Sequence, residues 1–259
     1  PQGAIWGPVP GLIALVFVLI GWWGDVLKES RAGDHKEVVQ ISLRYGMVLF
    51  IASEVMLFAA FFWDYFEMAI YHTLRANAEH TDLANPALEN LVHWDSWPVT
   101  QTDGAVVRTF DPFHLPLINT LILLLSGTTV TWAHHALQQG DRKSAKIGLL
   151  LTVILGVSFT ALQVIEYMEA GFSYAGSLYG SAFFMATGLH GAHVIIGTIF
   201  LAVCLFRLMA GGMKPEKHLG FEFAAWYWHF VDVVWLFLFA FVYVAPHLIW
   251  GAGAPGAGH

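Results

Sequence analysis

Long apolar segments separated by short polar turns dominate the sequence. Six such segments carry few charges, and they run over residues 9–27, 38–70, 117–139, 146–169, 179–208 and 221–250. The hydrocarbon core of a bilayer is about 30 Å thick, and an α-helix crosses it in about 20 residues. The pattern therefore predicts an all-α fold class: a polytopic membrane helix bundle with six transmembrane helices in this chain.

The connections between the predicted helices differ in length. Short turns follow the first, third and fifth helices, whereas residues 71–116 form one long connection. Its acidic residues are Glu79, Asp82, Glu89, Asp95, Asp103 and Asp111, and its only basic ones are Arg75 and Arg108. We therefore expect an acidic surface loop over 71–116, and a disordered tail over the Gly- and Ala-rich residues 251–259.

Basic residues orient the predicted bundle. Apart from Arg75 and Arg108, all of the 12 Lys and Arg residues flank the turns after the first, third and fifth helices. Loops that stay on the cytoplasmic side are enriched in Lys and Arg. These three turns are therefore predicted to face the cytoplasm or matrix. Both ends of the chain as given, and the long acidic connection, are predicted to face the outer side.

Composition excludes several classes of protein. The chain is 57% hydrophobic and only 12% charged, whereas an average soluble domain has about 25% charged residues. This composition excludes a soluble globular protein. A formal net charge of -7 with scattered basic residues gives no positive surface for nucleic acid. The only cysteine, Cys204, excludes an internal disulfide and a Cys-rich metal or iron–sulfur site.

Glu54 is an ionisable residue deep in the second predicted helix. It lies midway between Arg44 and Asp64, which bracket about 30 Å of helix. Its neighbours one turn away are Phe50, Ile51, Leu57 and Phe58, so its own helix supplies no cation. Intramembrane carboxyl groups are costly and usually mark pathways or relays. Two interpretations stay open: a protonatable site, or a neutral carboxylic acid hydrogen-bonded across a helix interface.

Five histidines fall in or near the predicted spans: His134, His135, His190, His193 and His229. Membrane cytochromes hold haem between imidazoles on facing helices, so a bound haem or metal is one interpretation. Hydrogen bonding between helices or at helix ends is the favoured one. The acids Glu166, Glu169 and Glu222 lie within about one turn of predicted helix ends, where we expect them to reach headgroups or water.

Two further sets of residues suggest packing and membrane anchoring. Small or hydroxylated residues that permit close helix contact are Asn119, Thr120, Ser126, Gly127, Thr128, Thr129 and Thr131 on the third helix and Ala182, Ala186, Gly188, Gly191 and Gly197 on the fifth. Tryptophans near predicted span ends, expected to form an interfacial aromatic belt, are Trp22, Trp23, Trp94, Trp97, Trp226 and Trp228.

Several strings resemble one family. They are GTTVTWAHH at 127–135, GLHGAHVIIG at 188–197, WYWHFVDVVW at 226–235, RYGMVLFIASE at 44–54, LPLINT at 115–120 and GDRK at 140–143. With them the chain resembles subunit III of haem-copper cytochrome c oxidase. The matching motif residues are His134, His135, His190, His193, Trp226, His229 and Asp232. Glu54 matches the intramembrane glutamate of that family.

The resemblance implies a non-catalytic core subunit of a proton-pumping respiratory cytochrome c oxidase. Such a chain packs against the catalytic subunit I and the rest of the complex, and it supports the proton uptake, stability and lipid environment of that subunit. It carries no haem, copper or other metal itself, since haem and copper lie in partner subunits. The bacterial cell inner membrane is the expected location, with the mitochondrial inner membrane as the alternative.

Family architecture gives further expectations. Members have seven helices, so the resemblance implies that the family's first helix is absent from this chain as given. Residues 1–36 then form the remaining helix of a smaller arm, and residues 37–259 form a five-helix bundle that includes the loop 71–116. Bound phospholipids are implied, and the suggested lipid contacts are Trp22, Trp23, Glu29, His35 and Arg207. The alternatives are a stand-alone membrane transporter and a haem-binding membrane cytochrome.

Overall fold

The computed structural model describes residues 8–82, 97, 109–174 and 178–249. Six helices in these ranges are long and apolar enough to cross a membrane, which confirms the predicted fold class and number of spans. The helices are α1 (Pro8–Ala32), α2 (Glu37–Asp82), α3 (Leu115–Gln138), α4 (Arg142–Met168), α5 (Leu178–Met209) and α6 (Leu219–Leu238). A π-helical turn, Phe239–Val244, and a short helix α7, Ala245–Ile249, follow α6.

The chain divides into two compact units, Pro1–Phe50 and Ile51–His259. The first unit contains α1 and the beginning of α2. Gly33 ends α1 with a φ of 90°, a conformation that residues with a Cβ rarely adopt. The backbone N–H groups of Gly33 and Asp34 both donate to the Glu29 carbonyl at 3.1 Å, which satisfies the end of the helix. The division at residue 36 that the resemblance implies stays a prediction.

Helix α2 is longer than predicted. The backbone leaves helical geometry at Tyr71 (φ -104°, ψ 15°), and the helix then continues to Asp82. The expected loop was therefore wrong over residues 72–82, because this polar segment contains neither Gly nor Pro and the helix extends past its apolar part. The rest of the expected acidic loop, at 83–96 and 98–108, and the expected tail lie outside the described residues.

Four helices form the core of the second unit. Helix α3 packs against α4 and α6, and α5 packs against α4 and α6 in turn. A glycine at residue 197 permits the close packing of α5 on α6, because a Cβ at Gly197 would lie only 2.8 Å from the Trp228 ring. Gly188 and Gly191 have open space instead. The packing role expected for these two glycines was therefore wrong, since they do not face a neighbouring helix closely.

Candidate functional site

Glu54 of α2 and His193 of α5 form a hydrogen-bonded pair in the second unit. Glu54 Oε2 lies 3.0 Å from His193 Nε2, and the two side chains are 18% and 9% exposed. The Phe58 ring packs edge-on against the imidazole at 4.9 Å, and the Tyr227 ring stacks on it at 6.3 Å. The expectation that α2 itself offers no cation stands, but a facing helix supplies a base that sequence reasoning did not pair with Glu54.

The hydrogen bond made by the second ring nitrogen of His193 determines which protonation states the Glu54–His193 pair can adopt. Its Nδ1 atom lies 2.8 Å from the Leu189 carbonyl oxygen, and a carbonyl only accepts, so Nδ1 carries a proton. Nε2 then either accepts from a neutral Glu54 carboxyl or donates to its carboxylate. Both forms have the same net charge and differ in the position of one proton. The arrangement can therefore pass a proton between two atoms inside the membrane-spanning part.

Glu166 belongs to a second buried network. Its Oε1 atom accepts from the Tyr243 hydroxyl at 2.6 Å and from Gln163 Nε2 at 3.3 Å, and Asn119 Nδ2 donates to Gln163 Oε1 at 3.4 Å. Glu166 is 1% exposed, so the expectation that it reaches headgroups or water was wrong. The reason is that the π-helical turn after α6 brings Tyr243 onto the end of α4, an irregularity that the sequence does not signal.

Two tryptophans expected at the membrane interface are core residues instead. Trp228 is fully buried and donates through Nε1 to Ser126 Oγ at 2.8 Å. Trp97 is 2% exposed and lies edge-on to the rings of Tyr65 and Tyr179. The interfacial expectation was wrong for both, because each ring fills space between helices. Trp94 lies outside the described residues.

The remaining motif residues on α3 and α5 have packing roles. His190 is buried and donates through Nε2 to the Val231 carbonyl at 3.2 Å. It is three residues from His193, yet its ring bonds to the backbone of α6, whereas the Nε2 atom of His193 bonds to Glu54 of α2. His134 packs against the His218 ring at 5.2 Å, and His135 is exposed. Among the described residues, no three His, Cys, Asp or Glu side chains are grouped to hold a metal ion.

The α6 motif residues His229 and Asp232 contact each other and α3. His229 Nε2 lies 3.1 Å from Thr131 Oγ1, and His229 Nδ1 lies 3.6 Å from Asp232 Oδ2. Asp232 fits because Gly127 has no side chain: a Cβ there would lie 2.5 Å from Asp232 Oδ2. Trp226, in the preceding turn of α6, is half-buried.

The suggested lipid contacts fall in both units. In the first unit, Trp22 and Trp23 are 65% and 61% exposed, and His35 Nε2 lies 3.8 Å from Glu29 Oε2 across the turn that ends α1. In the second unit, Arg207 is half-buried in the last turn of α5. Their role in lipid binding stays a prediction.

Six membrane-spanning helices and an internal carboxyl–imidazole pair define a polytopic helical membrane protein. The family model for cytochrome c oxidase subunit III matches residues 9–251. The chain is 50% identical to cytochrome c oxidase subunit 3 of Danio rerio over 236 residues, which cover 91% of this chain and 82% of the relative. It is 51% identical to that of Scyliorhinus canicula and 47% identical to that of Prototheca wickerhamii, each covering 90% of this chain and 81% of the relative.

The chain belongs to the cytochrome c oxidase subunit III family. This confirms the resemblance found in the sequence. As a member, the chain is an integral membrane subunit of a cytochrome c oxidase and associates with the oxidase complex of the respiratory chain. Neither alternative interpretation, a transporter or a haem-binding cytochrome, is favoured by these comparisons.

Proposed function

We propose that the chain is a non-catalytic core subunit of a proton-pumping oxidase, packed against the catalytic subunit I, and that it supports proton uptake and durability during turnover. The Glu54–His193 pair carries this proposal. It holds one shared proton between Oε2 and Nε2 at 3.0 Å, in a part of the chain where ionisable groups are expensive to keep. A group of this kind suits a subunit that influences proton movement rather than electron transfer.

We assign the haem and copper of the oxidase to partner subunits. Redox centres of this kind need free imidazole nitrogens or thiolates as ligands. In this chain, both nitrogens of His193 are engaged, by Leu189 and Glu54. The Cys204 sulfur is buried against the Gly220 carbonyl at 3.8 Å. The contacts of His193 support a role for this residue in holding helices together.

Phospholipids are the small-molecule partners that we propose. The exposed Trp22 and Trp23 side chains suit the boundary between headgroups and acyl chains. Glu29, His35 and Arg207 supply polar groups near the ends of α1 and α5, where headgroup phosphates and amines lie. The bacterial inner membrane, with the mitochondrial inner membrane as the alternative, stays the predicted location; fractionation of the native membranes tests it.

Removal of the chain from the purified oxidase tests the proposed function. We expect the haem and copper absorption spectra to stay intact, while proton uptake slows or activity is lost sooner during turnover. Glu54→Gln in the whole complex should reproduce part of that defect, and Glu169→Gln, at an exposed glutamate, is the matched control. Loss of haem spectra while the catalytic subunit stays folded would contradict the non-catalytic role. Full and sustained pumping without the chain would contradict the role in proton uptake.

A further inference from the structure

Glu166 lies near the end of α4, and its two carboxyl oxygens have different surroundings. The residue is 1% exposed, although only Tyr167 and Met168 follow it in the helix. Oε1 accepts from the Tyr243 hydroxyl at 2.6 Å and from Gln163 Nε2 at 3.3 Å. Oε2 is buried and has no hydrogen-bond partner among the described residues. One oxygen is therefore doubly satisfied, and the other is not satisfied at all.

The polar side chains around Glu166 have no proton to spare for Oε2. The Tyr243 hydroxyl gives its one proton to Oε1. The Gln163 amide donates to Oε1 and to the Tyr243 oxygen, both at 3.3 Å. The Tyr167 hydroxyl donates to Thr187 Oγ1 at 2.8 Å. Because Oε2 has no accessible surface, a donor from outside the chain cannot reach it either.

No cation balances Glu166 within the part of the chain that the structure describes. The titratable groups that act on it are tyrosines, which are uncharged at neutral pH. They are Tyr167 on α4 itself, Tyr179 on α5 and Tyr243 in the π-helical turn. Helix α3 contributes an amide, Asn119, which donates to Gln163 Oε1 at 3.4 Å. The surroundings of the carboxyl group are therefore polar but neutral.

The charge state of Glu166 follows from the relative cost of its two forms. A carboxylate here would place a charged oxygen in the interior with neither a hydrogen bond nor a cation to compensate it. A neutral acid would carry its proton on Oε2, since Oε1 already accepts two hydrogen bonds. An unpartnered neutral hydroxyl is also costly, but burial of an unpaired charge costs far more. The neutral form is therefore the favoured one.

We propose that Glu166 is a proton-binding site: it is a neutral carboxylic acid with its proton on Oε2, and this bound proton stabilises the hydrogen-bonded contact between α3, α4 and the π-helical turn. Turns with π-helical geometry are rare and frequently occur at functional sites. Here the turn places the Tyr243 hydroxyl on the carboxyl group. This proton is separate from the one shared by Glu54 and His193, so the inference does not depend on the proposed function.

Infrared spectroscopy of the intact oxidase tests the charge state. The measurement is made at about pH 6, where a solvated glutamate is ionised. Glu166→Gln should remove the C=O band of a protonated carboxyl group. The matched control is Glu169→Gln, three residues further along the chain at an exposed glutamate, and it should remove a carboxylate band instead. Loss of a carboxylate band in the Glu166→Gln oxidase would overturn the proposal.

The pH dependence of folding gives a second test, on the full chain in mixed detergent micelles. A glutamate in an unfolded chain ionises at about pH 4.3, so at higher pH the chain releases the Glu166 proton when it unfolds. Its folding equilibrium constant should therefore fall as the pH rises, by up to about tenfold per pH unit, until Glu166 also ionises in the folded chain.

Comparison with variants isolates this proton from other titrating groups. Glu166→Gln binds no such proton, so the ratio of its folding equilibrium constant to that of the original chain should rise above about pH 5, by up to about tenfold per pH unit. The same ratio for Glu169→Gln should stay constant. A constant ratio for Glu166→Gln as well would show that Glu166 is ionised in the folded chain and would rule out the site.

Tyr243→Phe keeps the infrared test decisive if Glu166→Gln prevents assembly of the oxidase. In the proposed state Oε1 is the carbonyl oxygen, and the Tyr243 hydroxyl donates to it. Loss of that donor should shift the protonated-carboxyl band to higher frequency. Tyr174→Phe, at a tyrosine that is 54% exposed, should leave the band in place. An unshifted band in the Tyr243→Phe oxidase would contradict the assignment of the proton to Glu166.

Discussion

Glu54 Oε2 and His193 Nε2 lie 3.0 Å apart although the two residues are separated by 139 positions in the sequence. Helix α2 supplies the carboxyl group and α5 supplies the imidazole. Because His193 Nδ1 donates to Leu189, a single proton remains to be shared by the pair. The contact therefore links the packing of two helices to the position of one proton.

The first prediction concerns the energy of this contact. Glu54→Ala and His193→Ala should each destabilise the second unit, and a double-mutant cycle should give a coupling energy of about 0.6–2 kcal/mol, the range of interhelical hydrogen bonds in membranes. Unfolding in mixed detergent micelles measures it. Glu54→Gln should cost less than Glu54→Ala, because an amide still hydrogen-bonds to the imidazole. Strictly additive single effects would show that the two side chains do not interact.

The second prediction concerns the network around Glu166. Tyr243→Phe removes the donor that lies 2.6 Å from Glu166 Oε1, and we expect a loss of about 1–3 kcal/mol in unfolding free energy, since a buried acceptor then loses its partner. Tyr174→Phe is the control, because Tyr174 is 54% exposed. Thermal unfolding of the two variants side by side provides the measurement. Equal stabilities would mean that Glu166 finds another donor.

The third prediction separates two glycines of α5. Gly197→Ala places a Cβ 2.8 Å from the Trp228 ring and should destabilise the protein by about 1–3 kcal/mol, as overpacking does. Gly191→Ala meets nothing within 4 Å, so it should be neutral or stabilising by up to about 1 kcal/mol through helix propensity. Midpoints of thermal unfolding distinguish the two variants. A stabilised Gly197→Ala protein would contradict the close packing of α5 on α6.

The fourth prediction concerns pH and the cap of α4. Asp141 accepts from the backbone N–H groups of Lys143 and Ser144 at 3.1 Å. Hydrogen bonds from Ser144, and more weakly from Lys143, hold the pKa of Asp141 below its ordinary value of 3.8. The cap's contribution to stability is therefore complete above that value and is lost as the pH falls through the lower pKa of the folded state.

Substitutions at residue 141 check this pH dependence. Asp141→Asn still caps the helix but does not titrate, so it should remove this part of the stability change between neutral pH and pH values below 3.8. Asp141→Ala should lower stability most clearly at neutral pH. Thermal unfolding as a function of pH measures both variants. Identical acid profiles for the Asn variant and the original chain would exclude a contribution from Asp141.

The fifth prediction concerns orientation in the membrane. The only cysteine, Cys204, is 1% exposed, so introduced cysteines can be labelled selectively. Lys143→Cys, in the first turn of α4, should react with a membrane-impermeant maleimide from the cytoplasmic or matrix side only. Phe113→Cys, just before α3, should react from the opposite side only. Labelling of each cysteine from the other side would show that the orientation in the membrane is the reverse of the predicted one.

Local properties of the sequence determined the spans. The length of an apolar run sets whether a helix can cross a bilayer, and this depends on the run itself. The predicted third helix, 117–139, therefore agrees closely with α3, Leu115–Gln138. Residue spacing along one helix also predicted the depth of Glu54 in the membrane, which stays a prediction. The family strings identified the oxidase relationship, since these motifs are contiguous in the chain.

Only the tertiary structure decided which polar groups meet. In helices that are apolar on every face, hydropathy does not reveal the rotation of one helix against another, so neither the His193 partner of Glu54 nor the contact of His229 with Thr131 was readable from spacing. Burial of Glu166 depended on a π-helical turn 73 residues further along the chain. These contacts are set by how the helices pack, which is a property of the assembled bundle and not of any single span.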